Sequence, residues 1–294
     1  MKRRIESTTS RTAEMTCMSR ASSALETNSH YKSGDHIAPL LLPGFLKPLL
    51  HLSPIRKLFS RVLAPQGIYE YVIARTKYID AVFERMPTEP FDQILILGAG
   101  FDTRALRFQE NLQNTRVFEL DIVMTQQAKI GQYQKRHLAV PANVTFIAID
   151  FDKETLPVKL DEAGFRMGER SLFIMEGLLM YLQSVSVRTT FQTIQAYAGK
   201  GSRVIFDYIH AAVLRNEGVY YGETGIAKTV SGAGEQWQFG IEKGEIGTFL
   251  AAYSLKLIDH KDAEELEKIY FSDADGKTMG RVNGTHCLVT AEKT

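Results

Sequence analysis

The feature that most constrains the fold is a short apolar run that ends in a glycine turn. Residues 93–97 read Gln-Ile-Leu-Ile-Leu, and Gly98, Ala99 and Gly100 follow directly. A continuously apolar run of this length is typical of a strand that is buried on both faces, as in a parallel sheet. Six further strand-like runs follow, at residues 116–120, 144–149, 172–175, 203–206, 255–258 and 285–290.

Segments of helical length separate most of these runs. They lie at residues 122–137, 153–163, 184–199 and 242–253, with a shorter helix-like stretch at 262–270. Strands that alternate with helices predict βαβ units and a mostly parallel sheet, which is an α/β fold.

The region before the first strand has a different pattern. Residues 67–86 show helical periodicity, residues 31–66 are helical pieces between prolines, and residues 1–30 are partly helical. We therefore predict one integrated domain with an N-terminal helical cap over residues 1–90. Its core covers residues 91–294, with a lid insertion around 208–240.

Composition narrows the possible partners and compartment. The 35 basic and 34 acidic side chains leave a net charge of +1 without a basic stripe, so we expect no nucleic-acid partner. Prolines and cations interrupt the apolar stretch 37–63, and the basic N-terminus lacks an apolar core, so we expect neither a membrane span nor a secretory signal. The two distant cysteines predict no disulfide framework and no metal site, and they fit a cytoplasmic protein.

The glycine turn is the first candidate binding element. Glycine lets the backbone turn sharply and lets a ligand approach it closely, and in open α/β sheets the ligand crevice lies beyond the carboxyl ends of the strands. Gly98 and Gly100 are therefore predicted to contact a ligand. The dinucleotide fingerprint has a third glycine where this chain has Thr103, which argues against NAD or FAD without excluding them.

Acidic residues end the next two strands. Asp121 stands 21 residues after Gly100, where a carboxylate can accept hydrogen bonds from both hydroxyls of an adenosine ribose. Glu119 is a weaker candidate for the same task. After the third strand, Asp150 could accept from an adenine amino group, and Phe151 could offer its main-chain N–H. The alternative is that these acids cap the following helices.

Glu176 ends the fourth strand and is followed by a second apolar run, Gly-Leu-Leu-Met-Tyr-Leu. A buried carboxylate without a partner is costly, so Glu176 must face a cation. That cation is either part of a ligand, such as an ammonium or sulfonium, or an internal arginine such as Arg75.

Three motifs in this order resemble the leucine carboxyl methyltransferase family, whose bacterial branch includes O-methyltransferases of polyketide biosynthesis. They are Gly-Ala-Gly-Phe-Asp-Thr-Arg at residues 98–104, Phe-Glu-Leu-Asp at 118–121 and Glu-Gly-Leu-Leu-Met-Tyr-Leu at 176–182. Residues 12–14 with 20–21, residues 75–80 and residues 238–241 are also similar to family segments, so the resemblance covers nearly the whole chain.

The resemblance implies a class I methyltransferase Rossmann-like fold, with a seven-stranded sheet whose last strand is antiparallel. It also implies S-adenosyl-L-methionine as the methyl donor. Carried over by motif, Arg75 would bind the methionine carboxylate and Gly98 would pass close to the methionine part. Asp121 would hold the ribose, Asp150 with Phe151 the adenine, and Glu176 would face the methionine end.

The sequence predicts an O-methyltransferase acting on a carboxylate or hydroxyl of a small molecule. A carboxylate acceptor needs no base, whereas a phenol, which titrates near pH 10, does. Tyr208, His210 and His286 are candidates for a base, but no catalytic residue stands out. Tyr208, Tyr220, Tyr221 and Trp237 could stack on a planar acceptor or simply pack in the lid.

Three rival functions stay open at this stage. The first is methylation of a protein C-terminal carboxylate, and the second is an NAD-dependent oxidoreductase on a related fold. The third is a non-catalytic binding protein that keeps the fold. Neither the acceptor nor the oligomeric state follows from the sequence.

Overall fold

The computed structural model describes residues 9–58, 64–233 and 235–294. In this part of the chain one seven-stranded sheet has the order β3-β2-β1-β4-β5-β7-β6. All neighbouring strands are parallel except β7, which runs antiparallel to both β5 and β6. The predicted mostly parallel sheet and its antiparallel last strand are therefore confirmed. The strands are β1 Gln93–Leu97, β2 Arg116–Asp121, β3 Val144–Ala148, β4 Ser171–Met175, β5 Arg203–Ile209, β6 Leu255–Lys261 and β7 His286–Lys293.

Helices precede the sheet and cover both of its faces. Those before β1 are α1 Arg11–Ala24, α2 Ala38–Leu41, α3 Leu46–Leu50, α4 Ser53–Leu58 and α5 Ile68–Glu84. Those within and after the sheet are α6 Arg104–Arg107, α7 Val123–Lys135, α8 Leu156–Glu162, α9 Ser184–Tyr197, α10 Ala211–Leu214, α11 Glu223–Ala233, α12 Ile246–Ala251 and α13 Ala263–Tyr270.

The central strand shows why the continuous apolar run was informative. All five residues of β1 are buried. Leu95 and Leu97 belong to the hydrophobic core on one face of the sheet, and Ile94 and Ile96 belong to the core on the other. Side chains of successive strand residues point to opposite faces, so a strand covered by helices on both sides needs apolar residues at every position.

The structure differs from the sequence-based expectation mainly at three places. β5 extends to Ile209, so Tyr208 is a buried sheet residue rather than the start of the lid. α12 is only six residues long, where a helix over 242–253 was expected. The helix after the glycine turn, α6, has only four residues. The longer β5 results from its antiparallel partner β7, whose first residue, His286, pairs with Ile209.

The N-terminal cap consists of short helices, as expected, but Pro39, Pro48 and Pro54 lie inside α2, α3 and α4 and not between them. Ala38, Leu41, Leu50 and Cys17 pack together with residues of α5 against one face of the sheet. The predictions for residues 1–8 and 59–63 lie outside the described residues. Among the helices that the structure describes, none is long and apolar enough to cross a membrane.

Candidate active site

A cavity of about 260 Å³ opens at the carboxyl ends of the parallel strands. This volume is close to the lower bound of roughly 300 Å³ for small-molecule sites. All seven residues predicted from the sequence to bind the cofactor line it. They come from α5 and from the ends of β1 to β4: Arg75, Gly98, Gly100, Asp121, Asp150, Phe151 and Glu176.

The glycine turn after β1 has a backbone conformation that favours glycine. Gly98 has φ 67° and Gly100 has φ 49°. A Cβ atom on Gly98 would lie 2.9 Å from Cδ1 of Leu178, so a side chain there would be both strained and crowded. The turn thus exposes bare backbone to the cavity.

Asp121 is held at the end of β2 by two backbone donors. Gly100 N–H donates to Oδ2 at 2.5 Å, and Ile122 N–H donates to Oδ1 at 2.6 Å. Ile122, not Asp121, occupies the N-cap position of α7, so the helix-cap alternative fails for this residue. Burial raises the pKa of the Asp121 carboxyl to about 6, against the lowering effect of the two N–H donors.

Glu119 has a different role from Asp121. Its Oε2 lies 2.5 Å from Lys129 Nζ, and both side chains are almost fully buried, at 2% and 1% exposed. Neither Glu119 nor Lys129 is among the described residues that line the cavity. The weaker ribose candidate is therefore part of a structural ion pair.

Asp150 and Phe151 lie at the cavity edge just after β3. The following helix, α8, begins at Leu156 and has Thr155 at its N-cap, so Asp150 does not cap it. Asp150 Oδ1 instead accepts from the backbone N–H of Asp152. The loop is thereby held next to the part of the cavity that Asp121 lines.

Glu176 faces two internal cations. Its Oε1 lies 3.0 Å from Arg75 Nε, and its Oε2 accepts from Arg104 Nη1 at 2.7 Å. Although burial alone raises the pKa of Glu176, Arg104 and Arg75 lower it well below its usual range. Glu176 is therefore ionised, and the internal-arginine alternative describes its pairing here.

Arg75 is shared between two carboxylates. Its Nη1 donates to Asp207 Oδ2 at 2.5 Å, in addition to the ion pair with Glu176. Its Nη2 makes no hydrogen bond to a described residue. Arg75 therefore retains a donor for a ligand at the cavity surface while its other nitrogens are fixed by the protein.

A connected ion network surrounds these two residues. We call it the buried ion network; it comprises Arg20, Arg75, Arg104 and Arg107 with Asp35, Asp80, Asp102, Glu176 and Asp207. Every side chain in it is at most 9% exposed. It joins the N-terminal helices to β4 and β5, so it fixes the cap on the sheet next to the cavity.

A carboxylate from the segment after α11 closes the cavity against α1. Glu235 accepts hydrogen bonds from the backbone N–H groups of Arg11 and Thr12, and from the hydroxyls of Ser10 and Thr12. These are donors at the start of a helix that have no partner within the helix itself. Ser10, Thr12 and Glu235 all line the cavity.

The three candidate bases, Tyr208, His210 and His286, differ in whether they reach the cavity. Tyr208 bonds to His260, and His210 stacks on Tyr220 with ring centroids 4.3 Å apart, so both are used in packing. Of the three candidates, only His286 lines the cavity as the described residues define it. Its ring lies 4.5 Å from that of Tyr71.

The aromatic residues of the lid also differ in whether they line the cavity. Trp237 lines the cavity and meets the His286 ring edge-on, with centroids 5.5 Å apart. Tyr221 instead lies against Arg281. Lid packing is therefore the correct interpretation for Tyr220 and Tyr221, whereas Trp237 is available to a ligand.

Among the lining residues that the sequence did not single out are Tyr71 and Glu235. Tyr71 stands four residues before Arg75 on α5, so helical spacing places both on one face and could have found it. Glu235 lies in an irregular segment, where no periodic signal exists.

Comparison with known proteins agrees with the family resemblance found in the sequence motifs. A family model described as leucine carboxyl methyltransferase matches residues 14–195. The putative S-adenosyl-L-methionine-dependent methyltransferase YktD of Bacillus subtilis is 25% identical over 201 residues, which cover 68% of this chain and 66% of that protein. A protein of Mycobacterium bovis with the same functional name is 34% identical over 131 residues, covering 45% of this chain and 40% of that protein. The chain thus spans less than two thirds of the length of these relatives.

The solved structures identify the fold. The crystal structure of a putative methyltransferase from Thermobifida fusca superposes with a TM-score of 0.60 at 15% identity, and the match covers 94% of each chain. With the strand order and the antiparallel β7, this likeness identifies the class I methyltransferase fold, as the sequence predicted.

Proposed function

This chain belongs to the leucine carboxyl methyltransferase family, and we propose that it is an S-adenosyl-L-methionine-dependent O-methyltransferase. Its acceptor would be a carboxylate or hydroxyl of a small molecule. The observation that carries the proposal is the charge of the cavity, considered together with the positions of the predicted donor-site residues.

The cavity lining is strongly acidic. Its described residues include six carboxylates and two guanidinium groups. Four of the carboxylates lie outside the buried ion network: Asp121, Asp150, Asp152 and Glu235. A donor that carries a sulfonium and an ammonium group suits such a wall, whereas the two negative charges of a dinucleotide pyrophosphate do not. The pyrophosphate of a dinucleotide also needs a helix N-terminus, and α6 has only four residues.

The proposed donor contacts follow the order of the strands. Asp121 would accept from the two ribose hydroxyls, since each of its oxygens receives only one backbone N–H. Asp150 and Phe151 would border the adenine, one strand further out. Arg75 Nη2 would donate to the methionine carboxylate, and the bare backbone at Gly98 would allow close approach.

In the proposed reaction the protein contributes mainly by positioning the two substrates. The bound donor supplies a methyl group already activated by a positive sulfur. The protein aligns the acceptor oxygen with that methyl group and excludes water. The Glu235 contact with α1 serves the second task, because it joins two segments that line the cavity.

Calorimetric titration with S-adenosyl-L-methionine, and separately with NADH, tests the proposal. We expect saturable binding of the methionine donor and none of NADH. Asp121→Asn should weaken donor binding by roughly 10- to 100-fold, because hydrogen bonds to a charged group are lost. Asp275→Asn, an exposed turn residue outside the cavity lining, is the matched control and should bind normally. NADH binding without donor binding would overturn the proposal in favour of an oxidoreductase.

A further inference from the structure

His286 lies where the cavity extends beyond the proposed donor site. The donor-site residues follow β1 to β4, whereas His286 begins β7, on the far side of β5. Two strand spacings, roughly 10 Å, separate β7 from β4. This end of the cavity is lined by Ile68, Tyr71, Ile226, Trp237 and His286. We call it the aromatic end.

The hydrogen bonds behind His286 fix its tautomer, beginning with Asn283. Asn283 Nδ2 donates to the backbone carbonyl of Gln66 at 2.8 Å, and Asn283 Oδ1 accepts from the backbone N–H of Thr285 at 3.1 Å. A flipped amide would set a donor against a donor and an acceptor against an acceptor, so this orientation is the one the network allows.

The next link is the Thr285 hydroxyl, which has a single proton. Its Oγ1 lies 2.5 Å from Asn283 Oδ1, an atom that can only accept, so the hydroxyl proton lies on that line. The same Oγ1 lies 2.7 Å from His286 Nδ1 and can now only accept there. His286 Nδ1 therefore carries the ring proton, and Nε2 carries a lone pair.

That lone pair has no hydrogen-bond partner among the residues that the structure describes. The ring of His286 lines the cavity. Burial lowers the pKa of His286 to about 3; Arg75 and His210 lower it too, and Asp207 opposes them. The ring is therefore neutral at physiological pH, and it presents an acceptor to whatever occupies the aromatic end.

We propose that His286 accepts a hydrogen bond, and then the proton, from a hydroxyl of the methyl acceptor. The acceptor is then a hydroxylated, largely apolar small molecule and not a carboxylic acid. This inference rests on the proposed function, and it chooses between the two acceptor classes that the function left open. A carboxylate at this position would set its lone pairs against that of Nε2, with no proton to share.

The proton transfer balances with the methyl transfer. As the acceptor oxygen bonds to the methyl carbon, the carbon–sulfur bond breaks, its electron pair stays on sulfur, and the hydroxyl proton moves to Nε2. His286 is a weak base, and the transfer is possible because an oxygen that is gaining a methyl group becomes far more acidic than the starting hydroxyl. The resulting imidazolium then returns the proton to solvent.

The first experiment determines the tautomer directly. The chain has only seven histidines, so a long-range ¹H–¹⁵N spectrum of the full protein contains few imidazole signals. The signal that disappears in His286→Phe is that of His286. At pH 7 we expect a neutral ring protonated at Nδ1. A ring protonated at Nε2, or an imidazolium, would overturn the proposal whether or not the methionine donor binds.

The second experiment tests acceptor class with probe compounds. With S-adenosylhomocysteine bound, calorimetry compares 4-phenylphenol with 4-phenylbenzoate. We expect the phenol to bind at least tenfold more tightly, and His286→Phe, which keeps a ring between Tyr71 and Trp237, to abolish the preference. Tighter binding of the benzoate, or an unchanged preference in His286→Phe, would refute the role assigned to His286.

Thr285 serves as the positioning residue in a third test. Thr285→Val removes the atom that accepts from Nδ1–H and should reduce methylation of the phenol by about 100-fold, as for loss of a general base. Thr285→Ser keeps the hydroxyl and should restore the wild-type rate. S-adenosylhomocysteine binding should be unchanged in both variants; if it is absent from the wild-type protein, the proposed function fails instead.

Discussion

The pair formed by Glu119 and Lys129 gives the sharpest prediction about stability. The two side chains lie 2.5 Å apart and are at most 2% exposed. Glu119 Oε1 has no hydrogen-bond partner among the described residues, so Lys129 is the main compensation for this buried charge. Lys129→Met should therefore leave an isolated carboxylate between β2 and α7.

The expected cost follows from the burial of the pair. Removing one partner of a buried ion pair costs about 3–5 kcal/mol, whereas replacing both is close to neutral. With an unfolding entropy of about 2.1 cal/mol/K per residue, the 294-residue chain should lose about 5–8 °C in melting temperature. The double variant Glu119→Leu with Lys129→Met, which replaces both charges by apolar side chains, should melt within about 2 °C of the wild type.

Thermal and urea unfolding at two pH values provide the assay. Burial raises the pKa of Glu119, and Lys129 opposes that rise. Without Lys129 the folded state retains the proton of Glu119 to a higher pH than the unfolded chain does. The deficit of Lys129→Met should thus be small at pH 5 and grow as the pH rises to 8. A double variant as unstable as the single one, or a deficit that shrinks as the pH rises, would refute this reasoning.

Three further predictions concern the cavity. Gly98→Ala should cost about 1–2 kcal/mol of stability in thermal unfolding, because a residue with φ 67° is strained and its Cβ would contact Leu178. Donor binding should weaken about tenfold between pH 7 and pH 5, since the pKa of Asp121 is about 6 and only its ionised form accepts two hydroxyls; calorimetry of Asp121→Asn should show no such dependence. Glu235→Ala should increase amide hydrogen exchange in α1 and leave the sheet unchanged, and equal protection of α1 in the variant would contradict its proposed closing contact.

Much of the fold could be predicted because the sheet is buried on both faces. The run 93–97 coincides with β1, and the glycine turn follows it directly. The length of β5 was less accessible, because residues 207–209 are in the sheet through pairing with β7, about 80 residues away in the chain. Pairing over such a distance leaves no local signal at the strand end.

The site was predictable to the extent that strand ends converge. Asp121 ends β2, and Asp150 and Glu176 follow the ends of β3 and β4, so their meeting at one edge follows from the topology. The sequence named Arg75 as one possible partner of Glu176 but left a ligand cation equally open, and it did not point to Arg104, the second partner. Which ring nitrogen of His286 carries the proton depends on Asn283. The orientation of the Asn283 amide is set in turn by the carbonyl of Gln66, more than 200 residues earlier. Only the three-dimensional structure brings these groups together.

A crystal structure with S-adenosylhomocysteine would test the central claim most directly. We predict both ribose hydroxyls within about 3.2 Å of the Asp121 carboxylate, the adenine beside Asp150 and Phe151, and the amino-acid end beside Arg75 and Glu176. The aromatic end around His286 should then stay free for the acceptor. A ligand bound elsewhere, or turned so that its adenine occupies the aromatic end, would contradict the account.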